Sequence, residues 1–344
     1  MTLSPRNLYR RCVFFSALLL CSSLMAQQSP PSGTAGSGQS QSEDQSVGTL
    51  RVNVDVVNVY CNVKDKRGAL IPDLKRDDFQ LTEDGKPQSV KYFATESNQP
   101  LTLGLLIDTS ASQMRVLPME QEAGEQFLRQ VLGKEDLAFL INFDIDVTLD
   151  QDYTSDVREL RHALDQTRIN AGGAVGGGPG AGQGPFPTSN IPRGTLLYDA
   201  IYLAAADKLG REVGRKAMII LTDGEDQGSR YRIREAIEAA QKADAICYVI
   251  LIADRGFYGG AYSGEDKMKQ LAEETGGRVI EVSNKYDKLR QAFDQIASEL
   301  RTQYALGYTP TNNVKDGTFR KIEIKTKEGH RVQARRGYYA IASR

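Results

Sequence analysis

The chain of 344 residues has no tryptophan, only two histidines and only four cysteines. His162 and His330 have no second His or Cys at metal-ligand spacing, which leaves few candidates for zinc or general-base chemistry. The formal net charge is -1 and no Lys/Arg cluster is interleaved with aromatic residues, so we expect no nucleic-acid partner. No loop ends in Gly-Lys-Ser/Thr, which excludes a phosphate-binding nucleotide loop of that type.

The N-terminus has the pattern of an export signal. Three arginines precede the apolar run "CVFFSALLLCSSLMA", and we predict cleavage after Ala26, with a retained anchor as the alternative. The run is shorter than the roughly 20 residues of a membrane-spanning helix, so we expect no transmembrane span after signal removal. The protein is therefore predicted to be exported, either periplasmic or secreted. Cys61 and Cys247 remain after cleavage, in distant strand-like segments, and are predicted to be buried free thiols.

The rest of the chain divides by composition and periodicity. A Ser/Gly/Gln/Pro-rich stretch is followed by alternating β patterns, then by alternating strands and helices, and finally by β patterns with strands near 303–309, 319–326 and 330–341. Either terminal β segment alone would expose an apolar face, so we expect the two to form one small β unit. The predicted organisation is signal peptide 1–26, disordered linker 27–49, N-terminal β segment 50–98, α/β domain 99–301 with a Gly-rich insertion at 170–194, and C-terminal β segment 302–344.

The α/β domain contains near-continuous apolar strands such as "LTLGLLID", "KAMIILTD" and "AICYVILIAD". Such strands between helices predict a doubly wound, mainly parallel sheet with helices on both faces. Ligands bind such sheets outside the carboxyl ends of the strands. Asp108 and Asp223 are both predicted at such ends.

The segment "DTSAS", residues 108–112, allows two interpretations. An aspartic protease needs a second Asp-Thr-Gly/Ser tripeptide to pair two carboxylates, and none occurs; "TDGED" and "KDGT" have the wrong order. A protease would also be all-β here, yet a helical pattern follows. A divalent-cation loop instead uses Asp108, Ser110 and Ser112, whose oxygens can face one point. In that interpretation Thr109, which a protease would need, carries the least information.

Two further oxygen ligands are predicted from neighbouring strand ends. "GTLLYDAI" offers Thr195 and "MIILTDGEDQGS" offers Asp223. Hydroxyl ligands are neutral, so a bound Mg²⁺ would keep much of its charge and could accept an acidic group of a partner at an open position. Mn²⁺ and Ca²⁺ are the alternatives to Mg²⁺. Asp144, which follows another strand, is a weaker candidate for the same edge.

The three motifs, in this order on alternating strands and helices, resemble the von Willebrand factor type A (VWFA) domain over about residues 100 to 300. The resemblance implies a metal-ion-dependent adhesion site (MIDAS) at Asp108, Ser110, Ser112, Thr195 and Asp223. The flanks "DLKRDDFQLTEDGKPQSVKYF" and "QYALGYTP…DGTFRKIEIKTK…RRGYYA" resemble those of exported VWFA-related proteins of acidobacteria. The long insertion before Thr195 departs from the family pattern and bears on access to the site.

These features together predict an exported, non-enzymatic, adhesion-type module that binds an Asp or Glu of a protein partner through the cation. One alternative is a Mg²⁺-dependent phosphohydrolase, although such enzymes often carry a second Asp where this chain has Ser110. Another alternative is a structural envelope protein with a vacant metal site. The sequence does not indicate the oligomeric state.

Overall fold

The computed structural model describes residues 56–95, 99–170, 194–252 and 264–341. These belong to one compact unit, Asn53–Arg344. The predicted signal peptide and linker, and residues 171–193 of the predicted insertion, lie outside the described residues and remain predictions, as do the domain boundaries.

The strands and helices alternate along the middle of the chain, as the sequence predicts. The strands are β1 (Val57–Lys64), β2 (Phe79–Glu83), β3 (Lys86–Gln88), β4 (Val90–Thr95), β5 (Leu101–Asp108), β6 (Leu137–Phe143), β7 (Val147–Thr154), β8 (Arg215–Thr222), β9 (Ala245–Ile252), β10 (Val279–Val282), β11 (Tyr304–Tyr308), β12 (Phe319–Thr326), β13 (Arg331–Ala334) and β14 (Gly337–Tyr339). The α-helices are α1 (Leu117–Val131), α2 (Val157–Gln166), α3 (Leu197–Leu203), α4 (Ile233–Lys242), α5 (Gly264–Thr275) and α6 (Tyr286–Arg301).

The central sheet has six strands in the order β10-β9-β8-β5-β6-β7. All neighbours pair in parallel except β6 and β7, which are antiparallel. Every residue of β5 and β9 is buried, as a parallel strand covered on both faces requires. The predicted mainly parallel α/β fold is confirmed.

The core of this region lies on both faces of the central sheet. Successive side chains of a strand point to opposite faces, so Leu105 packs with α1, α2 and α6, whereas Leu106 packs with α3, α4 and α5. Within the described ranges no helix is long and apolar enough to cross a membrane. Cys61 in β1 and Cys247 in β9 are buried and free, as predicted.

The terminal segments form a β-sandwich of two four-stranded sheets, β13-β1-β11-β4 and β14-β12-β2-β3. β1 from the N-terminal side pairs antiparallel with β11 from the C-terminal side, and β2 pairs with β12 in the same way. The two sheets share one apolar core, in which the rings of Phe79 and Tyr304 lie 5.1 Å apart in an edge-on arrangement. The predicted β unit built from both flanks is confirmed.

The single strand predicted at 330–341 is wrong, because the chain changes sheets there. β13 pairs with β1 in one sheet, and β14 pairs with β12 in the other. Arg335 and Arg336 make the crossing, and the Arg335 guanidinium donates a hydrogen bond to the Asn58 carbonyl oxygen at 2.7 Å. The alternating pattern continues through both short strands, so it carries no sign of the crossing.

A buried carboxylate joins the sandwich to the α/β region. Glu299 of α6 is 2% exposed. Its side chain accepts hydrogen bonds from Lys64 of β1 at 2.8 Å, from Arg278 at 2.7 Å and from Gln333 of β13 at 3.2 Å. Its backbone carbonyl accepts from Asn62 at 2.8 Å. Because these donors come from both parts of the unit, Glu299 fixes one part against the other.

Replacing Glu299 is expected to destabilise the unit strongly, because it leaves Lys64 and Arg278 without their shared counter-ion in a partly desolvated place. We expect Glu299→Ala to lower the free energy of unfolding by about 3 kcal/mol, measured by urea denaturation. Glu323→Ala, which removes an exposed pair with Lys325 at 3.0 Å, should cost no more than about 0.5 kcal/mol. Equal effects of the two substitutions would contradict the role assigned to Glu299.

Candidate metal centre

The site begins at the point where the strand order of the central sheet reverses. From β5 the chain continues to β6 and β7 on one side, and then returns to β8 on the other side of β5. The register pairs Ile107 with Leu221, so Asp108 and Thr222 end adjacent parallel strands and Asp223 follows directly. Two loops diverge at such a switch point and leave a crevice at the carboxyl edge of the sheet.

Asp108 is fully buried and is held in one orientation by two donors. The backbone N–H of Ser110 donates to Oδ1 at 3.0 Å, and the Thr222 hydroxyl donates to Oδ2 at 2.7 Å. The Thr222 hydroxyl also accepts from the backbone N–H of Gly224 at 3.0 Å. Thr222 therefore ties the two strand ends together, although the sequence motifs gave it no role.

The loop after β5 brings both serines to the same place. A single 3₁₀ turn, Ala111–Gln113, lets the hydroxyls of Ser110 and Ser112 approach to 3.0 Å. Ser110 is buried, whereas Ser112 is exposed. This pair of neutral oxygens lies beside the Asp108 carboxylate, at the rim of the crevice.

Thr195 is bound to the loop that carries Asp223. Its backbone N–H donates to the Gln227 carbonyl at 3.0 Å, and the Gln227 N–H donates back at 2.9 Å. This isolated antiparallel bridge lies just before α3, and the Thr195 residue is 7% exposed. The structure thus brings the segments of all five predicted ligands to one edge of the sheet.

Asp144 and Thr109 form a buried frame under the site. The Thr109 hydroxyl donates to Asp144 Oδ2 at 2.7 Å, and Asn170 donates to Oδ1 at 3.3 Å. The backbone N–H of Leu196, next to Thr195, donates to the Asp144 carbonyl at 2.7 Å. Asp144 therefore lies at the predicted edge, where it links the loops after β5 and β6 to the segment before α3. Thr109, given the least weight from the sequence, is fully buried and connects the first motif to this frame.

The electrostatics of the edge favour a bound cation. Burial, and then the nearby charge of Asp223, raise the pKa of the Asp108 carboxyl from 3.8 to about 7. The two donors to Asp108 are neutral groups, so neither offsets its charge. Gln113 Oε1 and both carboxyl oxygens of Glu120 are buried in the same segment and have no hydrogen-bond partner among the described residues.

The oxygens available fit a hard divalent cation. In the described part of the chain no three His, Cys, Asp or Glu side chains are grouped to hold a metal, so a metal at this edge needs hydroxyl ligands as well as carboxylates. Two carboxylates and three hydroxyls form an all-oxygen set, which suits Mg²⁺, Mn²⁺ or Ca²⁺ better than a soft metal.

Comparisons with known proteins give structural similarity at low sequence identity. No protein-family model matches this chain, and no curated protein matches it. Among solved structures, BatB from Bacteroides thetaiotaomicron is 17% identical, with a TM-score of 0.42 over 58% of this chain and 98% of that chain. The vWF domain of the pilus tip protein Mfa5 from Porphyromonas gingivalis is 13% identical, with a TM-score of 0.43 over 60% of this chain and 95% of that chain.

A third similar structure is the mussel byssus protein PTMP1 with a zinc-occupied MIDAS motif. It is 14% identical, with a TM-score of 0.46 over 62% of this chain, and the match spans 48% of PTMP1. The vWF domain of Mfa5 and the MIDAS motif of PTMP1 are the kind of domain and the kind of motif that the sequence of this chain resembles.

The raised pKa of Asp108 gives the metal-free protein a defined dependence of stability on pH. An acid whose pKa is higher in the folded state stabilises the fold fully below its unfolded pKa, and this contribution is lost as pH rises through the folded pKa. The contribution of Asp108 is therefore lost between about pH 4 and pH 7. In chelator at pH 8, we expect Asp108→Asn to be more stable than the wild type by about 2–4 kcal/mol.

Urea denaturation at pH 8.0 and pH 5.0, with chelator throughout, measures this difference. At pH 5.0 the gain of the variant should shrink, because the wild-type carboxyl is then protonated. Asp146→Asn, which changes an exposed aspartate at the same edge, should show neither effect. An Asp108→Asn protein that is less stable than the wild type at pH 8.0 in chelator would contradict the electrostatics described.

Proposed function

We propose that the protein is an exported binding module that holds a divalent cation at the edge formed by β5 and β8 and presents it to an acidic group of a protein partner. The observation that carries the proposal is the buried Asp108 carboxylate beside Asp223, with neutral donors and two clustered serine hydroxyls around it. Two carboxylates destabilise each other at such an edge, and a divalent cation relieves that repulsion.

In this proposal Asp108, Ser110, Ser112, Thr195 and Asp223 supply the ligand oxygens, directly or through water. Mg²⁺ usually retains several waters in protein sites, and a partner carboxylate can replace one of them. Three of the five ligands are neutral hydroxyls, so the bound ion keeps a strong attraction for a further negative group. Ser112 is exposed, which supports access to the ion from outside.

The arrangement offers little support for hydrolysis. A phosphohydrolase of the strand-end Asp type needs an acid/base group near the first aspartate, and Ser110 and Ser112 instead bond to each other. His330, one of two histidines, lies in the sandwich, where it contacts Glu328 at 2.9 Å. We therefore propose binding and not catalysis.

Direct titration with Mg²⁺ and with Mn²⁺ tests the cation site. We expect calorimetry to show one site in the wild type, no binding in Asp108→Ala or Asp223→Ala, and at least about tenfold weaker binding in Ser110→Ala, since each removes a ligand. Ser283→Ala changes an exposed serine that follows β10 at the same edge of the sheet, and it should bind as the wild type does. Unchanged binding in Asp108→Ala would contradict the proposed ligand set.

Capture of partners from an envelope extract of the source organism tests the adhesion function. With Mg²⁺ present, immobilised wild-type protein should retain proteins that are released by chelator and are absent with Asp108→Ala. The retained proteins should be lost when their exposed carboxylates are blocked by amidation. Capture of the same proteins with and without chelator would show that adhesion does not pass through the metal.

A further inference from the structure

Glu120 is a buried acid that the proposed ligand set does not use. Its residue is 0% exposed, and neither carboxyl oxygen has a hydrogen-bond partner among the described residues. Buried carboxyl groups are normally hydrogen-bonded or paired, because leaving them unsatisfied destabilises the fold. An apolar side chain of similar size would serve packing better, so packing does not account for a glutamate here.

The position of Glu120 in the fold brings it to the metal site. α1 connects the parallel strands β5 and β6, so it runs antiparallel to β5 and starts at the carboxyl edge of the sheet. A Cβ at Gly124 would lie 3.7 Å from Leu105 Cδ2, so this face of α1 rests on β5. Glu120 is one turn earlier on the same face, toward the end of β5 at Asp108.

Neither the charge preference of a helix end nor direct metal ligation accounts for Glu120. The N-terminal end of a helix favours an acid in its first turn, and Glu120 is in the first turn of α1. That effect is smaller than the destabilisation caused by burying a carboxylate without partners. Direct ligation is also not supported, since no three acids among the described residues are grouped to hold a metal.

The electric field at Glu120 comes from the site itself. Burial, and then the charges of Asp108 and Asp223, raise the pKa of the Glu120 carboxyl well above its ordinary value. The same proximity works in the opposite direction once a divalent cation lies between the two aspartates, because the cation then attracts the Glu120 charge.

We propose that Glu120 is a further residue of this metal site, which does not ligate the cation but contributes a third negative charge behind Asp108 and Asp223 that strengthens divalent-cation binding. The inference rests on the proposed function of the site. It accounts for an unsatisfied acid in a core position: the acid destabilises the metal-free fold and favours the metal-loaded one.

The test compares Glu120→Gln and Glu120→Met with the wild type at pH 8.0, using Mg²⁺ and Mn²⁺ alone as probes. We expect the dissociation constant measured by calorimetry to rise about tenfold in both variants, because each removes one charge near the ion. In chelator, the melting temperature should be at least that of the wild type for Gln and higher for Met. The increase in melting temperature on adding metal should be smaller in both variants.

Glu122→Gln is the matched control, since it removes the same charge from an exposed position of α1. It should leave the metal affinity unchanged. If Glu120 were only structural, both Glu120 variants would melt lower in chelator and would keep the wild-type metal affinity, and that result would overturn the inference. Wild-type affinity in Glu120→Gln, with binding still lost in Asp108→Ala, would refute the role of Glu120 alone; absence of binding in the wild type would refute the proposed function as well.

Discussion

The parallel pairing of β5 with β8 is the constraint on which the site depends. It ends two apolar strands side by side, so that Asp108 and Asp223 meet where little water reaches them. Like charges in such a place raise each other's pKa, and the donors that hold Asp108 are a backbone N–H and a hydroxyl, which carry no charge. The edge is therefore stable only when protons or a cation reduce its negative charge.

The remaining structure keeps this edge in place. Asp144 links three loops through Thr109, Asn170 and Leu196, and the bridge between Thr195 and Gln227 closes the crevice from the other side. Hydrogen bonds between loops fix ligand positions before a metal arrives, which reduces the ordering cost of binding. Farther away, the β-sandwich attaches to α6, the last helix before β11, through buried polar contacts.

Much of the fold and the site could be predicted from the sequence, and the rest has identifiable physical reasons. Continuous apolar strands identify the parallel sheet, and the aspartates that follow them identify its ligand edge. The frame around Asp144 was only weakly predicted, because its hydrogen bonds join residues distant in sequence. Glu120 gave no signal, since a glutamate in the first turn of a helix is common on surfaces. The break between β13 and β14 was missed because both short strands keep the same alternation.

The most direct test of the central claim is a crystal structure of the mature protein soaked in saturating Mn²⁺, with anomalous diffraction recorded near the manganese edge. We expect one strong anomalous peak at the carboxyl edge of β5 and β8, within coordination distance, directly or through water, of Asp108, Ser110, Ser112, Thr195 and Asp223. The peak should disappear in Asp108→Ala crystals. Wild-type crystals with no peak at this edge, or with manganese bound only elsewhere, would contradict the claim that this edge is a divalent-cation site.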